Sequence, residues 1–321
     1  MTMHSALSRR LAARAGLPLV SLVVAVALTS ACSTSPGAAA PGTVSVAAAF
    51  YPLQFVVEQV GGSHVSVTPV TKPGGEPHDL ELTPRDVVAV RQADLVVYER
   101  GFQPAMDAAV SQASSHAFDI SNAAHLDLAA PAEGLATQGA APPGGAAGAR
   151  DPHFWLDPTR YASVAQAIGQ RLAAVDPAHA ADYRAGAARF VARLTQLDHA
   201  YRAGLASCAH KEIVTGHSAF GYLARRYGLI QEGIAGVTPD AEPDASTMES
   251  IVQRIRADHI TTVYAETLVS PALSETIARE TSAKVAVLDP IEGITSASRG
   301  KDYFDVMRSN LATLRAGQEC A

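Results

Sequence analysis

The sequence predicts an α/β protein of two similar lobes with mostly parallel sheets, joined by a long rigid helix. Three observations carry the prediction. From residue 44 onward short apolar strands alternate with helical segments, the order that builds a parallel sheet with helices on its faces. The alternation stops near residue 158, where two helical stretches run in succession, and it restarts at residue 212. The length of 321 residues, at roughly 100–200 per domain, accommodates two such lobes.

Each element has its own signal. Residues 44–50 form a short apolar strand, and a helix from about 52 to 60 is closed by Gly61 and Gly62. Residues 64–70 alternate as a strand. Pro84 opens a helix, residues 94–98 return to a strand, 103–113 are helical, and 117–120 make a short strand. Residues 129–150 are low-complexity Ala, Gly and Pro with almost no charge, which reads as a surface loop. Residues 158–175 form one helix. A second runs from about 177 to 207, with Tyr183, Ala187, Phe190, Val191, Leu194, Leu197, Tyr201 and Leu205 stepping by three and four. Roughly thirty helical residues would extend about 45 Å, longer than one small domain needs. Two readings stand for this stretch: a bent pair of helices over one core, or a strut between two lobes. Strands then follow at 212–215, 229–234, 260–265 and 284–288, with helices at 219–227, 246–257, 271–281 and about 303–316.

The expected organisation is a signal peptide over 1–31, a lipid-anchored tether over 32–43, an N-terminal α/β lobe over 44–176, a linking helix over 177–207 and a C-terminal α/β lobe over 208–321. Arg9, Arg10 and Arg14 make a basic start with no acid, and residues 17–28 are an apolar run too short to span a bilayer as a folded helix. Leu28-Thr29-Ser30-Ala31-Cys32 resembles a bacterial lipobox, whose cysteine becomes the lipidated first residue; Thr29 stands where Leu is more usual. The alternative is a plain secretory signal cut nearby, and Ser8-Arg9-Arg10-Leu11 leaves twin-arginine export open. No second apolar run reaches about 18 residues. The expectation is therefore an exported protein held by lipid on the outer face of the cytoplasmic membrane, anchored rather than threaded. With Cys32 assigned to lipid, Cys208 and Cys320 remain as an even pair in an oxidising compartment, and a disulfide between them is expected. Two separate thiols are the alternative.

Composition excludes some functions. Apolar residues make up 48% and charged residues 17%, so whole-chain disorder is out. The formal net charge is −6 and no Lys/Arg-rich run occurs, which argues against a nucleic-acid partner.

Three histidines sit just past strand ends, each in a loop rich in Pro, Gly or Asp. His78 lies in Lys72-Pro73-Gly74-Gly75-Glu76-Pro77-His78-Asp79, His153 in Asp151-Pro152-His153-Phe154-Trp155-Leu156-Asp157-Pro158, and His217 in Thr215-Gly216-His217-Ser218. A fourth strand end, Leu288-Asp289-Pro290-Ile291-Glu292-Gly293, offers carboxylates. Neutral imidazole suits zinc, and a carboxylate completes a four-coordinate shell. Three imidazoles and one anion leave a divalent ion with a net charge near +1, far cheaper to bury than the bare ion. The chain holds 11 histidines, and any single one is usually not a ligand; His64, His116, His125, His179 and His199 read as surface or structural residues. On residue chemistry alone the question stays open.

The strings FYPLQFVVEQVGG, GGEPHDLELTPRDV, DPHFWLDP, GHSAFGYLARRYGL, TPDAEPD and LDPIEG, spread over about residues 44–321, resemble the metal-binding lipoprotein family of bacterial ABC importers for zinc and manganese. This is the solute-binding cluster A-I, and the match is to its zinc-uptake type. The resemblance implies two α/β lobes with one metal between them. Carried over residue by residue, it implies His78, His153 and His217 as nitrogen ligands and Glu292 as the fourth ligand, with Asp289 in reserve. Glu76 and Asp79 flank His78, either orienting its ring or facing solvent. Glu266, at a strand end, is expected to hydrogen-bond rather than ligate. Phe154 and Trp155 read as core or cleft wall, Asp151 and Asp157 as turn and helix-cap residues. Two departures stand out: residues 129–150 hold no histidine, so no metal-gathering role is expected of them, and Asp244 replaces the family's usual Ser.

The function so implied is capture of a divalent transition metal, Zn2+ ahead of Mn2+, and its delivery to an ABC permease with its ATPase subunit, by a monomer that is not an enzyme. The sequence has no HExxH string, and a carboxylate fourth ligand would close the shell that a hydrolytic zinc leaves open. The alternatives are a manganese-selective protein of the same family, or a surface adhesin or metalloenzyme using the same site.

Overall fold

Short apolar strands and amphipathic helices between them generate the same unit twice. In a computed structural model that describes residues 42–112, 115–130, 149–239 and 242–321, the first unit comprises β1 (Val44–Ala48), α1 (Tyr51–Gly61), β2 (Val65–Pro69), α2 (Pro84–Gln92), β3 (Leu95–Tyr98), α3 (Pro104–Ser111), β4 (Ala117–Asp119) and the one-turn α4 (Ser121–Ala124). Two helices follow, α5 (Pro158–Val175) and α6 (Ala180–Gly204). The second unit comprises β5 (Glu212–Thr215), α7 (Gly221–Tyr227), β6 (Ile230–Gly233), α8 (Ala245–Ala257), β7 (Thr262–Ala265), α9 (Ala272–Thr281), β8 (Lys284–Val287) and α10 (Tyr303–Gly317). The export signal at 1–31, the lipidation candidate Cys32, most of the tether and residues 131–148 of the Ala/Gly/Pro stretch lie outside the described residues. Among the described residues no helix is long and apolar enough to cross a membrane.

The strand orders are β2-β1-β3-β4 and β6-β5-β7-β8, and every pairing described is parallel. The central strands β3 and β7 are buried along their whole length, as a sheet covered by helices on both faces requires. In each lobe the chain steps outward on one side of the first strand and then crosses to the other. That creates the switch point beyond whose strand ends ligands bind in open α/β sheets.

Local chemistry sets the helix starts. Thr83 caps α2 by accepting from the Asp86 N–H while Asp86 accepts from the Thr83 N–H, a closed capping box. Asp157 caps α5 through the Thr159 N–H, and Asp302 caps α10 through the Asp305 N–H.

The long helical stretch resolves into a folded pair. A 3-10 turn at Pro177–His179 separates α5 from α6, and the two pack against each other. At 25 residues α6 is about 38 Å long, shorter than the span expected for 177–207 because Pro177 begins a separate turn and Leu205 caps the far end. Its buried face carries Tyr183, Ala187, Phe190, Leu194, Leu197 and Tyr201 at the anticipated spacing. That face also meets α1 of the first lobe and α10 of the second. There Phe55, Tyr161, Phe190, Tyr303 and Phe304 form a contiguous aromatic cluster with ring centroids 4.8 to 6.2 Å apart. The main hydrophobic core therefore draws on both lobes, while Val214, Ile251, Val263 and Ile277 form a separate cluster within the second; hinging the lobes widely apart would expose large aromatic surfaces to water.

The disulfide between Cys208 and Cys320 is present, tying the segment after α10 to the turn before β5.

Candidate metal centre

The site is assembled at strand ends facing one another across the lobes. His78 comes from the loop after β2, His153 from the segment before α5, His217 from the loop after β5 and Glu292 from the loop after β8. Glu292 Oε1 lies 3.2 Å from His78 Nε2, 3.0 Å from His153 Nε2 and 3.2 Å from His217 Nε2. His153 Nε2 is 3.3 Å from His78 Nε2 and 3.4 Å from His217 Nε2. The four donor atoms all lie within 4.8 Å of one another. Ligands at zinc's bond length on a tetrahedron are separated by about 3.3 Å, and five of the six donor–donor separations fall at 3.0 to 3.4 Å, close to that edge.

Burial isolates the cluster. His153 and His217 are fully buried, Glu292 is 1% exposed, and only His78 is partly accessible. Phe102 packs its ring edge-on to His78 at 4.7 Å. A cavity of about 150 Å³ lies beside Glu292 between the lobes, lined by Tyr51, Gln54, Thr71 and Lys72 from one side and Gly293 and Ile294 from the other.

Carboxylates orient two of the rings. Glu266, one residue past β7, accepts the His217 Nδ1–H at 2.6 Å through Oε2 and the His217 backbone N–H at 2.7 Å through Oε1. This fixes the ring with Nε2 toward the cluster, a carboxylate–histidine arrangement typical of metal sites. The intervening Gly216 is required: a Cβ there would come within 2.7 Å of Glu266 Oε1. Asp151 does the same for His153, accepting Nδ1–H at 2.8 Å and the backbone N–H at 2.9 Å through one oxygen. Gly221 clears the space for it, since a Cβ would sit 2.7 Å from Asp151 Oδ2.

Sequence reasoning placed Asp151 as a turn residue and missed this second role; the D-x-H spacing was the available signal. It also missed the indole of Trp155, which donates to the Pro290 carbonyl at 2.8 Å and links the His153 segment to the Glu292 loop. Glu76 accepts the His78 backbone N–H at 2.9 Å, so it positions the main chain rather than the ring. Asp79 is exposed in a turn. Asp289 is not part of the cluster. Its Oδ1 accepts the Ile291 N–H at 2.8 Å, which leaves it a brace of the loop, while Glu292 reaches the imidazoles.

The electrostatics follow from burial opposed by neighbours. Desolvation would push the Glu292 carboxyl up, but the charge of His217 and the hydrogen bonds from all three rings hold it well below the usual range. Burial likewise pulls His217 down, and the carboxylates of Glu266 and Glu292 outweigh it, leaving that ring well above the usual imidazole range. His153 is raised in the same way by Asp151 and Glu292 against its burial. His78 has only Glu292 as an acidic partner, and desolvation keeps it lowered.

Two doubly wound lobes meeting at a dry, three-imidazole, one-carboxylate pocket define a two-lobed α/β protein with the donor set of a divalent transition-metal site. Residues 46–317 match the family model described as zinc-uptake complex component A, periplasmic, and the chain belongs to that family. Over 295 residues, 88% of its length, it is 34% identical to the zinc-binding protein AdcA of Streptococcus pyogenes, and it spans 57% of that relative. Over 274 residues it is 31% identical to the high-affinity zinc uptake system protein ZnuA of Bacillus subtilis, covering 84% of this chain and 86% of the relative. Among solved structures, the Zn(II)-bound ZnuA-like domain of Streptococcus pneumoniae AdcA superposes with a TM-score of 0.71 at 30% identity, covering 87% of this chain and all of that one. The laminin-binding adhesin Lmb of Streptococcus agalactiae superposes at 0.73 and 29% identity, covering 86% of this chain and 99% of that one.

Proposed function

We propose that this protein captures Zn2+ between its lobes and hands it to an ABC-type permease driven by a separate ATPase subunit. The ligands are His78, His153, His217 and Glu292. The observation that carries the reading is the convergence of those four donor atoms within 4.8 Å of one another, drawn from both lobes and buried together. Three imidazoles and one carboxylate favour Zn2+ over Mn2+ by ligand type and by the usual affinity order. Glu266 and Asp151 supply the outer hydrogen bonds that fix the tautomers of His217 and His153.

The reading extends to the whole chain. Residues 1–31 direct export, Cys32 carries the lipid that holds the protein at the outer face of the cytoplasmic membrane, and residues 32–43 are the tether. The lobes at 44–176 and 208–321 are linked through 177–207, and the protein acts as a monomer without enzymatic turnover. Because the lobes share the aromatic core around Phe190 and Tyr303, capture and release proceed by small shifts and loop movement rather than wide closure.

Metal analysis of the purified protein tests the reading. One zinc per chain in the wild type, lost in His78→Ala and Glu292→Ala, is the expected result. Metal retained in both variants sinks it. Likeness to the laminin-binding protein favours adhesion as a second reading. Laminin binding by a His78→Ala variant that holds no zinc would support it as an activity separate from metal capture.

A further inference from the structure

Ile291, immediately before Glu292, adopts φ +59° while fully buried. A β-branched residue in the left-handed region is an outlier, because its Cβ crowds the following carbonyl. Glycine or asparagine would make the same turn without that conflict. The strain is held by side chains converging on the residues just before Glu292. Asp289 Oδ1 accepts the Ile291 N–H at 2.8 Å. Asn310 of α10 brackets Asp289, accepting its N–H at 3.0 Å and donating to its carbonyl at 2.7 Å. Trp155 Nε1 donates to the Pro290 carbonyl at 2.8 Å, and Trp155 is itself pinned by the Tyr303 hydroxyl on its carbonyl at 2.7 Å. All of these groups are buried.

The sequence offsets matter. Trp155 lies two residues after His153, and Pro290 lies two residues before Glu292. One indole bond therefore ties the ligand-bearing segment of the first lobe to that of the second, where His153 Nε2 and Glu292 Oε1 lie 3.0 Å apart. Strained backbone held in place by surrounding bonds is a known means of preorganising a site.

We propose that Trp155, Asp289 and Asn310 are positioning residues that hold Ile291 left-handed and so present the Glu292 carboxylate to zinc in a fixed place. The proposal rests on the reading of Glu292 as a ligand. It predicts that these residues act on zinc through Glu292 and not through general stability.

A double-mutant cycle tests it, with zinc affinity measured by chelator competition on the purified protein. Trp155→Phe keeps an aromatic ring and removes the donor. It is expected to weaken zinc about tenfold or more, the scale of outer hydrogen-bond partners of metal ligands. In a Glu292→Gln background the same change should cost less than about twofold, because its route to the metal is gone. An equal loss in both backgrounds, or none in the first, overturns the proposal alone. If Glu292→Gln by itself leaves zinc affinity unchanged, the ligand reading fails and takes the proposal with it. Asp289 gives a second arm that does not depend on Trp155. Asp289→Ala is expected to weaken zinc, and Asp289→Asn, which keeps the acceptor for the Ile291 N–H, to recover most of the loss. A loss as deep in Asn as in Ala means that charge rather than geometry matters at 289, and overturns it.

Discussion

Phe50 occupies in the first lobe the position that His217 occupies in the second. Ala48 pairs with Val97 across β1 and β3, and Thr215 pairs with Tyr264 across β5 and β7. Two residues beyond each pair stand Phe50 with Glu99, and His217 with Glu266. The repeat thus supplies the same acid at the end of the third strand of each lobe, but only Glu266 has a ring to hold. Phe50 instead packs against Phe102 and Trp155 at 4.9 and 5.3 Å. The first lobe contributes its imidazoles from other loops, through His78 and His153.

Glu99 pays for this asymmetry. It is buried, and its Oε2 has no hydrogen-bond partner among the described residues. Burial, with Asp151, Asp119 and Asp107 nearby, pushes its carboxyl well above the usual range. A carboxyl whose folded value is raised binds more protons folded than unfolded, so stability falls as pH rises above the ordinary carboxylate range. Glu99→Gln is expected to match the wild type near pH 4 and to become the more stable protein toward neutrality. Denaturant melts across that pH range check it; a variant uniformly less stable would contradict the assignment.

Glu266 is expected to matter for metal affinity without touching the metal. Removing it in Glu266→Ala frees the His217 ring and should weaken zinc by about 10–100-fold, the usual effect of losing such a partner. Competition with a chromophoric chelator measures this, and an unchanged affinity would remove Glu266 from the site.

Zinc binding should release protons near neutral pH. His217 and His153 are held above the ordinary imidazole range by their carboxylates, so their rings keep to higher pH the proton that a ligating nitrogen must lose. Affinity therefore falls as pH drops. Calorimetry in two buffers of different ionisation enthalpy gives the number released; identical heats in both buffers would count against it.

The Cys208–Cys320 bond spans a sequence separation of 112 residues. Loops of about that length lose considerable entropy when closed in the unfolded chain, so the Cys208→Ser/Cys320→Ser protein should be less stable by about 2–5 kcal/mol. The bond lies away from the imidazole cluster, so zinc stoichiometry should stay at one. Thermal melting and metal analysis of the double variant test both halves.

Much of this protein was determined by the sequence itself. The two-residue and three-to-four-residue periodicities placed nearly every strand and helix, because side-chain burial repeats at the pitch of the local backbone. Turn-rich loops after strands marked His78, His217 and the Glu292 loop, and two cysteines left over after Cys32 marked the disulfide. Tertiary structure alone decided the rest. It separated Glu292 from Asp289, three residues apart, by turning Ile291 left-handed so that one carboxylate reaches the rings and the other braces the loop. It gave Asp151 and Trp155 their roles, brought α5 and α6 into a folded pair, and left Glu99 without a ring. These outcomes depend on which strands become neighbours and on which surfaces the shared aromatic core presses together. Such contacts join residues far apart in the chain, and no local periodicity records them.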